Sequence, residues 1–157
     1  MSAHAIYDHA PIGSIIAWSD GAQRPPERFT EKLAAWLTSN SKRRLVRKQP
    51  SRSMGNLSLS ANFTLHEADF GAGGVVTIRV HRTFSLDSIL HFSVVERPAI
   101  GSVRVFDRPG EDAELVHLAS QLSAAEEWLS RHGYPRAVLQ EVTADEVGAA
   151  IVEGRAA

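Results

Sequence analysis

The stretch Leu57-Ser58-Leu59-Ser60-Ala61-Asn62-Phe63-Thr64-Leu65-His66 alternates apolar and polar side chains without a break. Successive residues of a strand point to opposite faces, which puts Leu57, Leu59, Ala61, Phe63 and Leu65 on one face and Ser58, Ser60, Asn62, Thr64 and His66 on the other. That is the pattern of a half-buried strand. Residues 69–74 (DFGAGG) carry turn chemistry, and the alternation resumes over Val75 to Thr83. There Val76, Ile78 and Val80 are expected to face the core, with Thr77, Arg79, His81 and Thr83 facing outward. The two strands are expected to pair as an antiparallel hairpin in a sheet with one solvated face.

The neighbouring segments extend this sheet. Ser88 to Glu96 and Ser102 to Asp107 read as strands, joined by a connection short enough for adjacent antiparallel neighbours. Upstream, Lys42 to Gln49 (KRRLVRKQ) reads as an edge strand whose cations discourage pairing with other chains. Residues 50–56 are expected to form a mobile loop, and the apolar run Gly13 to Ser19 an additional strand. A helix is expected from Pro26 to Thr38, since proline suits a first helical turn and Phe29, Leu33, Trp36 and Leu37 recur at helical spacing.

Toward the C-terminus, Leu115, Leu118, Ala119, Leu122, Ala125, Trp128 and Leu129 fall on one stripe of a long helix expected from Asp112 to His132, ended by Gly133 and Pro135. Ala137 to Val142 reads as a last strand. Thr143 with Glu146 makes a capping box that opens a short helix through about Ile151. The order is not the strict strand–helix alternation of a doubly wound parallel sheet. The expected fold is a single α+β domain over residues 1–157, a mostly antiparallel sheet of about five to seven strands with one long and two shorter helices mainly on one face. Residues 1–12 and 153–157 are expected to be loose termini.

Composition narrows the function classes. The 157 residues, 43% hydrophobic and 22% charged, are enough for a core that needs no staples. The chain has no cysteine, which excludes a disulfide framework, a thiol nucleophile, an iron–sulfur cluster and cysteine-based zinc sites. No apolar run approaches the ~18 to 20 residues of a membrane span, and no signal-peptide pattern opens the chain. A cytoplasmic protein with no membrane partner is therefore expected. The formal charge of -1 hides an uneven distribution: residues 1–82 hold eleven Lys and Arg against six acids, and the remainder six against twelve.

Nine of the seventeen basic residues lie between Arg24 and Arg52. Arg24, Arg28, Lys42, Arg43, Arg44, Arg47, Lys48 and Arg52 are the candidate contacts for an anionic partner, nucleic acid or an acidic protein, because clustered cations neutralise successive phosphates and release counterions. The same residues suit a solvated edge strand, and no nucleic-acid-binding motif accompanies them. Arg24 and Arg28 also flank a helix start whose free amides could hold an anion. The alternative site lies on the polar sheet face, where His66, Arg79, His81 and His91 are the candidate groups of a small cysteine-free enzyme. A third reading is a protein–protein interaction module. Histidine spacing does not match a metal motif, and no cofactor or metal is expected. The first expectation is accordingly a binding or accessory protein with a basic patch.

Overall fold

The structure, a computed structural model, describes residues 1–73 and 75–146, the side chains of Val75 and Thr77 excepted. Its elements are α1 (Ala3–His9), β1 (Ile15–Ser19), α2 (Thr30–Ser39), β2 (Ser41–Gln49), β3 (Arg52–Met54), β4 (Leu57–Leu59), β5 (Asn62–Ala72), β6 (Val75–Ser85), β7 (His91–Glu96), β8 (Val103–Phe106), β9 (Leu115–Ala119), α3 (Leu122–Ser130) and β10 (Val138–Glu141). The fold is α+β, and every strand pair is antiparallel. A five-stranded sheet has the order β6-β5-β2-β1-β7, a three-stranded sheet the order β10-β8-β9, and β3-β4 form a small ribbon.

The β5–β6 hairpin forms as the alternation requires, but its strands extend through residues 69–72, which were expected to be turn. Gly73, at φ 63°, supplies the left-handed backbone of the reversal. The preceding alternation does not make one strand. It breaks after Leu59, and β4 folds back on β3 through Gly55 at φ 61°. The expected mobile loop over 50–56 is thus largely ribbon, and Leu57 and Leu59 are exposed where a core face was expected. The β2 strand is not an edge. It lies between β1 and β5, because Leu45 and Val46 are both buried and need cover on either side.

Residues 1–12, expected to be loose, contain α1. Ser2 caps it by accepting from the Ala5 N–H at 3.2 Å, and Ala3 and Ile6 are fully buried. They join Ile16, Trp18, Leu45, Phe63, Leu65, Phe84 and Phe92 in the main core, on one face of the large sheet. Edge-on contacts of Phe92 with Phe63 and Phe84, at centroid distances of 5.4 and 5.2 Å, knit that core together. The helix α2 begins at Thr30 instead of Pro26 and buries no residue, so it lies on the surface. Its C-terminal end is held by the buried Asn40, whose amide donates to Trp36 O and Asp20 Oδ1.

The largest correction concerns residues 112–132. The expected long helix is split into β9 and α3, with a break at Ser120-Gln121. Leu115 and Ala119 are buried at the two ends of a five-residue strand, a spacing that suits either period. The helices also do not share one face. The helix α3 packs on the small sheet against Val103, Val105 and Ala119, whereas α1 packs on the large one. Nor are β7 and β8 neighbours: β7 pairs with β1, and the chain crosses to the small sheet through residues 97–102. Between the sheets lies a third apolar group of Val46, Phe106 and Leu115. The helix expected after Thr143 opens with residues 144–146, and the Glu146 N–H is 3.4 Å from Thr143 Oγ1. Its remainder and the tail over 153–157 lie outside the described residues.

One buried cation ties these layers together. Arg104 on β8 is 2% exposed; its Nε donates to Ile12 O at 2.7 Å and its two terminal nitrogens meet the Glu146 carboxylate at 3.1 and 2.5 Å. A bidentate pair of this kind fixes geometry as well as charge. Removing one partner leaves an uncompensated buried charge or an unpaired carboxylate and carbonyl. Arg104→Ala is therefore expected to lower stability by about 3–5 kcal/mol in denaturant titration.

Candidate functional site

The site is built on the face of the β5–β6 hairpin that sequence periodicity assigned to solvent. Register pairs Thr64 with Thr83 and His66 with His81, so these side chains share a face. The threonine hydroxyls meet at 3.0 Å and the imidazole centroids are 6.3 Å apart. The face is open only at its edge, where Thr83 is exposed. The small sheet lies across it, and Thr64 is 1% exposed.

Two features bring carboxylates to this face. A bulge between His66 and Ala68 shifts the register so that Asp69 stands opposite Arg79. Glu114, the residue before β9, reaches across from the small sheet. His66 Nε2 lies 2.6 Å from Asp69 Oδ1, and His81 Nε2 lies 2.6 Å from Glu114 Oε1. Arg79 stands between them, its Nε 3.4 Å from each of those oxygens but misaligned for hydrogen bonding, and its Nη1 donates to Val116 O at 3.5 Å. An ionised carboxylate can only accept, so each histidine carries a proton on Nε2, and in the neutral ring Nδ1 is the proton-accepting nitrogen.

His66, Asp69 and Arg79 of this network line a cleft, whereas His81 and Glu114 are not among its lining residues. A cavity of about 310 Å³ is lined by Arg44, His66, Asp69, Arg79 and His117; an adjoining one of about 600 Å³ shares Asp69, Arg79 and His117 and adds Trp128, Arg131, His132 and Tyr134. The outer wall is a ring stack, Trp128 lying 3.9 Å from His132 and 4.7 Å from His117, nearly parallel to both. His132 Nδ1 also lies 2.7 Å from Trp128 O, which locks it at the end of α3. Among the lining residues the cations Arg44, Arg79 and Arg131 stand against the carboxylate Asp69, with Glu114 beside Arg79 and Glu127 ion-paired to Arg131.

Of the four polar-face candidates, the structure brings His66, Arg79 and His81 together. His91 stands apart, exposed on β7 at the opposite edge of the large sheet and paired with Ser19. Asp69, Glu114 and His117 were not foreseen as site residues; only the acid-rich C-terminal half hinted that carboxylates would meet the cationic hairpin. Among the described residues no three His, Asp or Glu groups are placed to hold a metal ion.

The eight basic-segment candidates are dispersed. Arg24 pairs with Glu27 at 3.7 Å and lies over the Trp36 ring, and Arg28 lies over Phe29. Lys42 and Arg43 are exposed at the start of β2, and Arg43 donates to Glu67 O, Lys42 O and Ser41 Oγ. Arg44 donates to Gly13 O at 2.5 Å and lines the cleft. Arg47 is partly buried, its Nε without a hydrogen-bond acceptor among the described residues. Arg52 is ion-paired to Asp112, from the acidic half of the chain. The contact holds the Asp112 carboxyl below its usual range, through hydrogen bonds from Arg52 and Gln49.

Lys48 is half-buried and faces a different cavity, of about 560 Å³, between α1, the small sheet and the loop over 108–111. Burial lowers its pKa to about 8, overcoming the opposing pull of Asp8 and Glu146.

The arrangement defines a small α+β protein with a polar cleft between two antiparallel sheets. Residues 1–146 match the family described as Uncharacterised conserved protein UCP036055, and the chain belongs to that family. No curated protein and no solved structure matches the chain.

His117 reports on the cleft directly. Burial first, and the neighbouring His132 second, push its pKa below the ordinary histidine value. The fold therefore favours the neutral ring, and its contribution to stability is present above about pH 6.5 and is lost as pH falls through the depressed value. In an NMR titration His117 is expected to protonate at lower pH than a free histidine, and His132→Gln is expected to move the midpoint upward.

Proposed function

We propose that the protein binds a small anionic ligand in the cleft between its two sheets and moves protons on it through His66, with His81 beside it in the same network. The observation that carries the reading is the pair of adjacent imidazoles, each held by a carboxylate at 2.6 Å, with Arg79 between the two carboxylates. Each carboxylate orients its ring and supports the imidazolium that forms when Nδ1 takes a proton, the usual requirement of a general base. Arg44 and Arg79 supply charge for an anion in a site with restricted water, where such contacts are stronger than at an open surface. The ring stack of His117, Trp128 and His132 gives the ligand a flat wall. No described helix is long and apolar enough to cross a membrane, and the proposal takes the site to work in the cytoplasm.

Inorganic phosphate and small carboxylates serve as probes. Imidazole signals of His66 and His81 are expected to shift with phosphate at low salt. Arg44→Gln, which spares the inter-sheet ion pairs, is expected to weaken binding about tenfold, the ~1.4 kcal/mol of one lost charged hydrogen bond. Histidine signals that ignore millimolar phosphate and carboxylates alike would sink the reading.

A second reading, contact with nucleic acid or an acidic protein through the basic segment, draws support from the exposed pair Lys42 and Arg43, which meets no carboxylate among the described residues. Its signature is a salt-dependent affinity for random nucleic acid whose log–log slope falls by about 2 in magnitude in the double variant Lys42→Gln, Arg43→Gln. Unchanged slope and affinity would remove this surface from consideration.

A further inference from the structure

The cavity beside Lys48 is separate from the cleft and has its own chemistry. Eight of its lining residues, Tyr7, Ile12, Pro50 and Phe106 among them, present apolar or aromatic surface, and Lys48 supplies an amine. Among the described residues that amine has no hydrogen-bond or ion-pair partner, so only the longer-range pull of Asp8 and Glu146 offsets its partial burial. We propose that Lys48 is a carbonyl-capturing residue, forming an imine with a small aldehyde or ketone whose apolar body fills this cavity.

The chemistry needs no co-reactant. The Nζ lone pair attacks the carbonyl carbon as the C=O π bond opens onto oxygen, giving a carbinolamine. Loss of that oxygen with the two amine protons, as one water, leaves the C=N bond; nothing is oxidised or reduced. Only the neutral amine attacks, and desolvation is the recognised way to supply it near neutrality. At a pKa of about 8 roughly half of Lys48 is neutral at pH 8, where an ordinary lysine is under ~1% neutral. Burial sets this balance together with Asp8 on α1, Glu146 after β10 and Arg104 on β8, and Arg108 and Glu111 also line the cavity.

The chain has only three lysines, and the other two are exposed controls: Lys32, whose ammonium lies over the Phe29 ring, and Lys42. The native protein is treated with benzaldehyde and cyanoborohydride, which reduces an imine to a stable secondary amine, and the modified peptides are mapped by mass spectrometry over pH 6.5 to 9.5. Lys48 is expected to react at least ~10-fold faster than Lys32 and Lys42 at pH 7.5, with a half-maximal rate near pH 8. The preference is expected to shrink when formaldehyde, which has no apolar body, replaces benzaldehyde. Lys48 reacting no faster than the exposed lysines would overturn the proposal, and so would an equal preference with both aldehydes. Wild-type mapping decides both points, so no variant has to fold.

Discussion

Glu114 is the group that lets the two sheets meet. The β5–β6 hairpin approaches the small sheet with Arg79 and His81, and Glu114, only 14% exposed at its side chain, answers both. A carboxylate taken out of water at this depth is costly unless its oxygens are occupied, and cations in the same position are equally costly. Each side of the interface therefore makes the other tolerable. Glu114 is itself placed by main-chain contacts, its N–H donating to Asp107 Oδ1 at 2.9 Å and its carbonyl accepting from the Asp107 N–H at 3.0 Å. The β8–β9 connection thus aims a charge, and that charge docks one sheet on the other.

Around this contact the apolar material between the sheets is sparse: Val46, Phe106 and Leu115, with Ile12 and Ala113 packed beside them. This small plug has two sides. Val46 and Leu115 form one wall of the histidine cleft, and Ile12, Phe106 and Ala113 form one wall of the Lys48 cavity. A fuller apolar layer would have closed both spaces. The same economy explains why Arg104 is needed, since a buried ion pair anchored to the Ile12 carbonyl holds the layers where hydrocarbon does not.

The hairpin, the antiparallel character and the mixed α+β composition were legible in sequence because period-two alternation over 62–66 and 75–83 leaves little choice. Three things were not. A bulge adds one residue to β5 and swaps its faces beyond His66, which brings Asp69 onto the face of His66 and Arg79, while Ile78, placed inward by alternation, lies 60% exposed. A five-residue strand followed by a nine-residue helix can mimic one helical stripe, because Leu115 and Ala119 satisfy both spacings. And cations in a strand read as an exposed edge when their neighbours in space are unknown; β2 is interior because Leu45 and Val46 are covered from opposite sides. His66, Arg79 and His81 were recognisable as a group since one strand pair presents all three. Their carboxylate partners were hidden behind the bulge and in the segment that reads as helix.

The strand order carries a consequence for how the chain acquires its shape. The β1 strand is flanked by β2 and by β7, with Trp18 opposite both Ser41 and Phe92. The hairpin β5–β6 can zip locally, but the β1–β7 ladder waits for two segments far apart along the polypeptide, and such distant pairings slow folding. During synthesis the apolar Ile15–Trp18 segment leaves the ribosome long before its second neighbour exists. Until β7 arrives, one edge of that strand stands unzipped, and this nascent stage is the one most exposed to chaperones and to self-association.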